Sequence, residues 1–203
     1  MSDILLQFVL TIIGAYLIGS IPTGYILVKV ITGQDIRQIG SGSTGATNVK
    51  RVLGTKYFFV VMLLDAFKGA LPVILATYFT TAYKDLGILP VLAAIFAILG
   101  HAKSIYLKFT GGKAVASGVG TLFALNWPVG IAVAIIWSVI TWFSKYVSLG
   151  SIIALSCAPF LMLFAKAPIS YVIYTAIAAI GVIYLHRENI KRLKNGTENK
   201  VRN

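Results

Sequence analysis

Residues 114–144 decide the fold: AVASGVGTLFALNWPVGIAVAIIWSVITWFS is a run of 31 residues without one charged side chain. A membrane-spanning helix needs about 20 apolar residues, so this run is too long for a single crossing. Asn126-Trp127-Pro128 divides it, and we predict a short span at Ala114–Leu125 and a full span at Val129–Phe143. As a helix, the short piece measures about 18 Å, against a hydrocarbon core of about 30 Å. It is either a tilted, incomplete span or a half-helix extended by its flanks.

The whole chain has the composition of a membrane protein. Hydrophobic residues make up 58% and charged residues 12% of its 203 residues, whereas a soluble domain carries about 25% charged residues. We therefore predict one membrane-embedded domain over residues 1–203. Its fold class is an all-α integral membrane protein with seven transmembrane helices, one of them short. The five other predicted spans are Ile4–Val28, Tyr57–Thr80, Leu86–Ser104, Leu149–Ala165 and Ile169–Tyr184.

The basic residues between the spans predict the orientation, because cytoplasmic loops carry an excess of Lys and Arg. With seven crossings, residues 29–56, residues 103–113, Lys145 and the tail from Arg187 share one side and hold 15 of the 18 Lys and Arg residues. If the short segment did not cross, this bias would largely vanish, so the charges favour a crossing. We predict an outside N-terminus, a cytoplasmic C-terminus and candidate active-site loops on the cytoplasmic face.

The polar run Gly40–Arg51, GSGSTGATNVKR, lies between the first two predicted spans. Glycine lets backbone N–H groups approach an anion closely, and hydroxyl, amide and guanidinium groups bind phosphate oxygens. A flexible connecting loop is the alternative, but a linker does not need this density of donors. The Gly-x4-Gly-Lys spacing of nucleotide-binding loops is absent, so a nucleotide is not indicated. The predicted phosphate-binding residues are Ser41, Gly42, Ser43, Thr47, Asn48 and Arg51.

A second glycine-rich segment, Gly111-Gly112-Lys113, directly precedes the short apolar piece. Backbone N–H groups at a helix N-terminus attract anions, and Lys113 adds a full positive charge. The alternative is a basic loop end that only fixes topology. Because two such loops are predicted on one face, we include Gly111 and Gly112 among the predicted phosphate-binding residues and Lys113 among the catalytic ones.

Polar side chains at the ends of the last two spans complete the candidate site. His186 and Asn189 are three residues apart and would share a face if the helix continues. Together they could orient a hydroxyl, whereas the common alternative for such a histidine is to cap helix carbonyls. Ser148, in a short polar turn on the same predicted side, is the remaining candidate catalytic residue.

Other polar residues of the spans are given structural interpretations. Asp65 and Lys68 are three residues apart within a predicted span and are expected to face the helix bundle and neutralise each other, because an isolated charge there is costly. The single Cys157 and the two distant histidines show no metal-ligand spacing, so no metal site is predicted. The net charge of +12 is divided among the loops without an aromatic–basic module, which argues against nucleic-acid binding.

A series of motifs extends over nearly the whole chain, and together they closely resemble one family. They are Leu17–Tyr25, Asp35–Arg37, Gly40–Val49, Gly111–Ala116, Tyr146–Leu149, His186–Leu193 and Gly196–Glu198. The family is that of the bacterial acyl-phosphate:glycerol-3-phosphate acyltransferases, the PlsY family. The chain departs from the family's pattern at Ser43-Thr44, at Ala102–Ile105 and at Tyr184-Leu185 before His186. Two further departures are Ala114, where the family usually has Gly, and Ser117, where it usually has Thr.

The resemblance implies a bacterial inner-membrane enzyme of phospholipid biosynthesis. It would transfer a fatty acyl group from acyl phosphate to the 1-hydroxyl of glycerol 3-phosphate, giving lysophosphatidic acid and phosphate. It implies no cofactor and no metal. The expected partners are the two substrates and membrane lipid, without nucleic acid, and we expect a monomer. In this interpretation the first glycine-rich loop binds the acyl-phosphate phosphate, Lys113 reaches both phosphates, and His186, Asn189 and Ser148 hold the attacking hydroxyl.

Two other interpretations of the sequence predict different behaviour. A transporter of a phosphorylated small molecule would also use half-helix N-termini and cations, but transporters place their sites near the midplane and often contain internal repeats. No repeat is visible here, and the polar groups are predicted on one face. A non-catalytic scaffold with a basic, lipid-binding face would leave both glycine-rich loops unexplained.

Overall fold

The computed structural model describes residues 2–83 and 87–201, and the regular elements within them are helices. The chain divides into two compact units, residues 1–121 and 122–203. The first unit contains α1 (Ser2–Ser20), α2 (Thr23–Thr32), α3 (Ala46–Leu53), α4 (Thr55–Tyr83), α5 (Ile88–Ala102) and the start of α6 (Val115–Leu125). The second contains the end of α6, then α7 (Trp127–Ser144), α8 (Val147–Phe164), α9 (Ile169–Leu185) and α10 (Arg187–Lys194).

Four segments among the described residues are long and apolar enough to cross a membrane. They are Ile4–Thr32, Thr55–Phe79, Trp127–Ser144 and Val147–Phe164. Helices α9 and α10 meet at an angle of 59°, and they form a fifth candidate span if the pair is counted as one. Helices α5 and α6 are apolar but shorter. Of the residues used for the predicted topology, Lys84, Leu86 and Arg202 lie outside the described residues. The helical architecture is as predicted, and the count of seven crossings stays a prediction.

The long uncharged run is divided where the sequence predicts. Helix α6 ends at Leu125 and α7 begins at Trp127, with Asn126 in extended conformation between them. The Asn126 side-chain oxygen accepts a hydrogen bond of 3.2 Å from the Val129 amide, which caps the start of α7. Pro128 lies in the first turn, where its missing N–H costs nothing. Farther along the second unit, α8 packs against both α7 and α9.

The first predicted span, Ile4–Val28, lies within the candidate span Ile4–Thr32 and is broken into two helices near Pro22. Helix α1 ends at Ser20 and α2 begins at Thr23, because Pro22 cannot donate the hydrogen bond that would continue the helix. The carbonyls freed at this break are satisfied by other parts of the first unit. Lys68 Nζ donates to the Ile21 carbonyl at 2.6 Å, and Ser104 Oγ donates to the Ser20 carbonyl at 2.6 Å.

Small residues allow α1 and α5 to pack closely. A Cβ atom at Gly19 would overlap the Ala97 backbone, and one at Gly100 would overlap the Tyr16 carbonyl and the Ser20 amide. Helices in membranes associate through such close backbone contacts, because the hydrophobic effect does not drive helices together within lipid. The glycines around the break are therefore used for packing, as predicted from the sequence.

The segment Gln34–Lys56, predicted as a polar loop, is ordered and contains helix α3. A short 3-10 turn at Ile36–Gln38 precedes it, and the Asp35 carboxylate accepts a hydrogen bond of 2.9 Å from the Arg37 amide at that turn. The physical reason for the order is a small apolar core: Val28, Ile36, Val49 and Val61 are fully buried against one another. Each such side chain contributes about 1.5–3 kcal/mol on burial.

Candidate active site

The first glycine-rich loop is held in shape by the side chain of Asn48, which is 1% exposed. Its amide nitrogen donates to the carbonyls of Ser43 and Ile39, both at 2.9 Å, and lies 3.3 Å from the carbonyl of Ile36. Its amide oxygen accepts from the Ser41 backbone N–H at 3.1 Å. One side chain thus ties both ends of the loop to α3. These contacts show that the Asn48 side chain fixes the conformation of the loop. Ligand binding by Asn48, which the sequence predicts, stays a prediction.

The other predicted phosphate-binding residues of this loop lie at its surface. Ser41, Gly42 and Arg51 are exposed, and Ser43 and Thr47 are half-buried. Thr47 and Arg51 are one turn apart on α3 and therefore share a face. The loop turns through left-handed backbone at Gly40 (φ 60°) and Gly42 (φ 68°). Hydroxyls and a guanidinium are thus exposed or half-buried along the loop and α3, and this combination suits an anion of several oxygens. The backbone N–H groups of Ser41 and Gly42 donate within the loop, to the Asn48 side chain and the Ile39 carbonyl.

The second glycine-rich loop lies against the end of α5. The Gly112 amide donates to the His101 carbonyl at 3.1 Å, and α6 begins three residues later at Val115. Lys113 is half-buried between this contact and the helix start. Ala114 joins Lys113 to α6 in left-handed conformation, with φ at 56°. The loop therefore presents Lys113 at the start of α6 through a backbone that only glycine adopts without strain.

Replacing Ala114 by glycine is expected to stabilise the protein by about 1 kcal/mol, because left-handed backbone costs a residue with a Cβ atom roughly 1–2 kcal/mol. For a chain of this size that corresponds to a rise in melting temperature of about 2–4 °C in detergent. Ala132→Gly, in the interior of α7, is the matched control and should lower stability by about 0.5–1 kcal/mol. A lower melting temperature for Ala114→Gly would contradict the strain inferred from φ.

A buried ion pair lies deeper in the first unit. Lys68 Nζ is 2.8 Å from Asp65 Oδ1, and their side chains are 7% and 2% exposed. The predicted mutual neutralisation is confirmed. Thr23 Oγ1 also donates to Asp65, so the pair connects α4 to the start of α2.

In the second unit, His186 lies at the bend between α9 and α10, so the helix does not continue through it. The Nδ1 atom of His186 donates to the Val182 carbonyl at 2.9 Å, which is the capping contact expected of a histidine at a helix C-terminus. This contact defines the tautomer: the neutral ring then carries its lone pair at Nε2. Both His186 and Asn189 are buried, at 3% and 7% exposure.

Glu198, which was not among the predicted site residues, connects two of them. Its carboxylate accepts from Ser148 Oγ at 2.8 Å, from Asn189 Nδ2 at 2.6 Å and from Arg192 Nε at 2.7 Å. The tail that carries it is fixed further along, where the Val201 amide donates to the Lys145 carbonyl at 2.7 Å. Burial by itself raises the pKa of the Glu198 carboxyl, but the three hydrogen bonds outweigh burial and hold this pKa below its usual value.

A comparison with protein families identifies the chain. A family model described as glycerol-3-phosphate acyltransferase matches residues 9–196. The chain belongs to the glycerol-3-phosphate acyltransferase family. The matched region includes parts of both units and all of the predicted site residues, whereas Glu198 lies just beyond it.

Individual relatives agree with this family over most of the chain. A glycerol-3-phosphate acyltransferase of Nostoc sp. is 44% identical over 200 residues, covering 92% of this chain and 88% of the relative. Glycerol-3-phosphate acyltransferase 2 of Moorella thermoacetica is 47% identical over 198 residues, covering 96% and 98%. Two crystal structures of PlsY, an integral membrane glycerol 3-phosphate acyltransferase, are also similar. The glycerol 3-phosphate form is 35% identical with a TM-score of 0.89, covering 96% of each chain, and the lysophosphatidic acid form is 34% identical with a TM-score of 0.86, covering 96% and 95%.

The predicted resemblance to the PlsY family is therefore confirmed, and with it the interpretation as a multi-pass membrane protein. Within this family member, the predicted residues are divided between the two units. The first unit holds the glycine-rich loops and Lys113, and the second holds Ser148, His186 and Asn189. Among the described residues, no group of three or more His, Cys, Asp and Glu side chains could hold a metal ion.

Sequence reasoning missed Glu198 because its partners are distant along the chain. Ser148 and Glu198 are 50 residues apart, and nothing in their local spacing indicates a contact. The one signal was Gly196-Thr197-Glu198, which formed part of the family resemblance. The structure gives Gly196 a left-handed φ of 70°, so this turn directs the following residues back toward α10 and α8.

Proposed function

We propose that this protein transfers a fatty acyl group from acyl phosphate to the 1-hydroxyl of glycerol 3-phosphate, the first acylation of phospholipid biosynthesis. Membership of the family makes it an acyltransferase of glycerol 3-phosphate. The observation that carries the proposal is the match over 96% of the chain to PlsY, whose structures have a glycerol 3-phosphate form and a lysophosphatidic acid form. The donor, acyl phosphate, is supported by the sequence resemblance to the PlsY family.

The proposed reaction needs little covalent chemistry from the protein, because acyl phosphate is an activated mixed anhydride. The 1-hydroxyl oxygen bonds to the acyl carbon, the bond from that carbon to the phosphate oxygen breaks, and phosphate leaves with the bonding electrons. The hydroxyl proton passes to His186 or to a substrate phosphate. Placing two anions beside each other and neutralising the departing phosphate supplies most of the rate.

The first unit supplies the cationic and hydrogen-bonding groups of the proposed mechanism. The loop residues Ser41, Gly42, Ser43 and Thr47, with Arg51, bind the phosphate of acyl phosphate, while Asn48 keeps the loop in shape. Gly111 brings its backbone N–H group to a phosphate, Gly112 holds the loop through its bond to the His101 carbonyl, and Lys113 contacts both substrate phosphates. The exposure of Ser41, Gly42 and Arg51 and the half-burial of Ser43, Thr47 and Lys113 support these roles.

The second unit supplies the groups that hold the acceptor hydroxyl. His186, oriented by its bond to the Val182 carbonyl, presents Nε2. Asn189 and Ser148 share Glu198 as a partner, which fixes the positions of both side chains. Of these side chains, the histidine offers the ring nitrogen lone pair that can accept the hydroxyl proton.

We further propose that the chain crosses the membrane seven times as a monomer in the bacterial inner membrane. The N-terminus would lie outside, and both glycine-rich loops and the C-terminal tail in the cytoplasm. The excess of Lys and Arg in those segments supports this orientation. The acyl chain would enter laterally between helices, since both donor and product are lipids.

The test is phosphate release by detergent-purified protein supplied with palmitoyl phosphate, with and without glycerol 3-phosphate. Release that depends on the acceptor, together with formation of lysophosphatidic acid, is the expected result. Folded protein that releases no phosphate and forms no lysophosphatidic acid would defeat the proposal. In that case, flux of glycerol 3-phosphate into vesicles would indicate the transporter interpretation.

A further inference from the structure

The imidazole ring of His101 lies directly beneath the second glycine-rich loop. A Cβ atom at Gly112 would overlap His101 Nε2, and one at Gly111 would overlap the His101 carbonyl. The Gly112 amide donates to that same carbonyl at 3.1 Å. Both the backbone and the ring of His101 therefore determine how closely the two glycines approach the end of α5.

Groups from two other helices orient this ring, and a third helix supports one of them. Ser117 Oγ, on α6, shares a hydrogen bond of 3.0 Å with His101 Nδ1. Asp65 Oδ1, on α4, lies 3.7 Å from the same nitrogen. Asp65 is in turn held by Lys68 and by Thr23 of α2. We call Thr23, Asp65, Lys68, His101 and Ser117 the buried polar chain.

Burying the ionisable groups of the buried polar chain between membrane helices carries a high desolvation cost. The side chains of Asp65, Lys68 and His101 are all at most 7% exposed, and Ser117 is fully buried. Ionisable groups are rarely placed within spans without a function, because apolar side chains pack there at lower cost. This chain of contacts ends at the loop that carries Lys113.

We propose that His101 is a positioning residue for the acyl transfer: oriented by Ser117 and Asp65, its ring sets the Gly111-Gly112-Lys113 loop in the conformation that binds the glycerol 3-phosphate phosphate. The inference rests on the proposed function and adds to it residues that do not touch substrate. Lys113 follows Gly112 directly in the chain. A tilt of the His101 ring therefore displaces the Gly112 backbone and, with it, the Lys113 side chain.

The test is the steady-state kinetics of Ser117→Ala, which removes the hydrogen-bond partner of the ring and leaves every proposed substrate contact in place. The expected result is a rise of about tenfold in KM for glycerol 3-phosphate, the size of effect given by one lost buried hydrogen bond. KM for palmitoyl phosphate should change less, because the first glycine-rich loop also binds its phosphate, whereas kcat should fall as well, because Lys113 is displaced. Ser117→Thr keeps the hydroxyl and should restore KM for glycerol 3-phosphate.

Thr121→Val is the matched control, because Thr121 is a fully buried hydroxyl residue one turn further along α6 that donates to the Gly118 carbonyl. Its kinetic constants should stay near those of the wild type. If Ser117→Ala does not fold, His101→Asn replaces it: the shorter amide reaches Ser117 but leaves the space beneath Gly112 unfilled, so KM for glycerol 3-phosphate should again rise.

Three results would overturn the inference. One is an unchanged KM for glycerol 3-phosphate in the variant that folds. The second is a fall in melting temperature and kcat with KM unchanged, which a purely structural role would give. The third is a rise in KM for glycerol 3-phosphate in Thr121→Val that is as large as the rise in Ser117→Ala. Failure of the proposed function itself is distinguishable, because wild-type protein would then form no lysophosphatidic acid.

Discussion

Lys113→Ala is expected to lower kcat for acyl transfer by about 10²–10³-fold while the protein stays folded. Removing one preorganised group that stabilises developing charge has an effect of this size in other acyl-transfer enzymes. Lys113 follows Gly112 and precedes the strained Ala114, so its backbone is fixed on both sides. The measurement is phosphate release from palmitoyl phosphate at saturating glycerol 3-phosphate, with the melting temperature as the check on folding.

Lys103→Ala is the control for loss of a charge from the same basic segment. Lys103 is exposed, and its backbone carbonyl, which accepts a hydrogen bond from Tyr16, is retained in the variant. Exposed charges are screened within about 8 Å at physiological ionic strength, so the rate should change less than about twofold. Near-normal activity of Lys113→Ala, or an equal loss in Lys103→Ala, would remove Lys113 from the proposed mechanism.

The parts of the fold that follow from local patterns could be predicted from the sequence. The absence of charge over residues 114–144 and the Asn126–Pro128 signal located the boundary between α6 and α7. Asp65 and Lys68 were expected to pair because one turn separates them and a lone charge in a span is costly. Both features depend on residues close together in the chain.

Features that depend on tertiary contacts could not be predicted in the same way. Helix α3 is polar in composition and short, and it is ordered by an apolar core whose members Val28 and Val61 lie outside the segment. Asn48 has the chemistry of a phosphate ligand, and only the structure shows its amide bonded to the loop carbonyls. The bend of 59° at His186 likewise has no Pro or Gly at that position that would signal it in the sequence.

Glu198→Gln is expected to lower the free energy of unfolding by about 2–4 kcal/mol, because three donors lose a buried carboxylate partner. The Glu198 side chain is 6% exposed and is ion-paired with Arg192 at 2.7 Å. A glutamine amide has one acceptor oxygen, and its NH₂ group would face a donor. The melting temperature in detergent should fall by roughly 5–15 °C, and kcat should fall as well, since Ser148 and Asn189 lose their shared partner.

The pH dependence gives a second measurement of the same contact. The folded-state pKa of Glu198 lies below its usual value of 4.5, so the stability it contributes is complete above that value and is lost as the pH falls through the folded-state pKa. The wild type should therefore lose more stability on acidification below about pH 4.5 than Glu198→Gln does.

Glu188→Gln is the matched control for the tail carboxylate. Glu188 and Lys191 form an exposed pair at 3.4 Å, with side chains 59% and 72% exposed. Exposed pairs contribute about 0–1 kcal/mol, so this variant should melt close to the wild type and keep its acid profile. Equal melting temperatures for Glu198→Gln and Glu188→Gln would show that the Glu198 carboxylate does not hold α8 and α10 together. Another contact within the second unit would then have to orient Ser148 and Asn189.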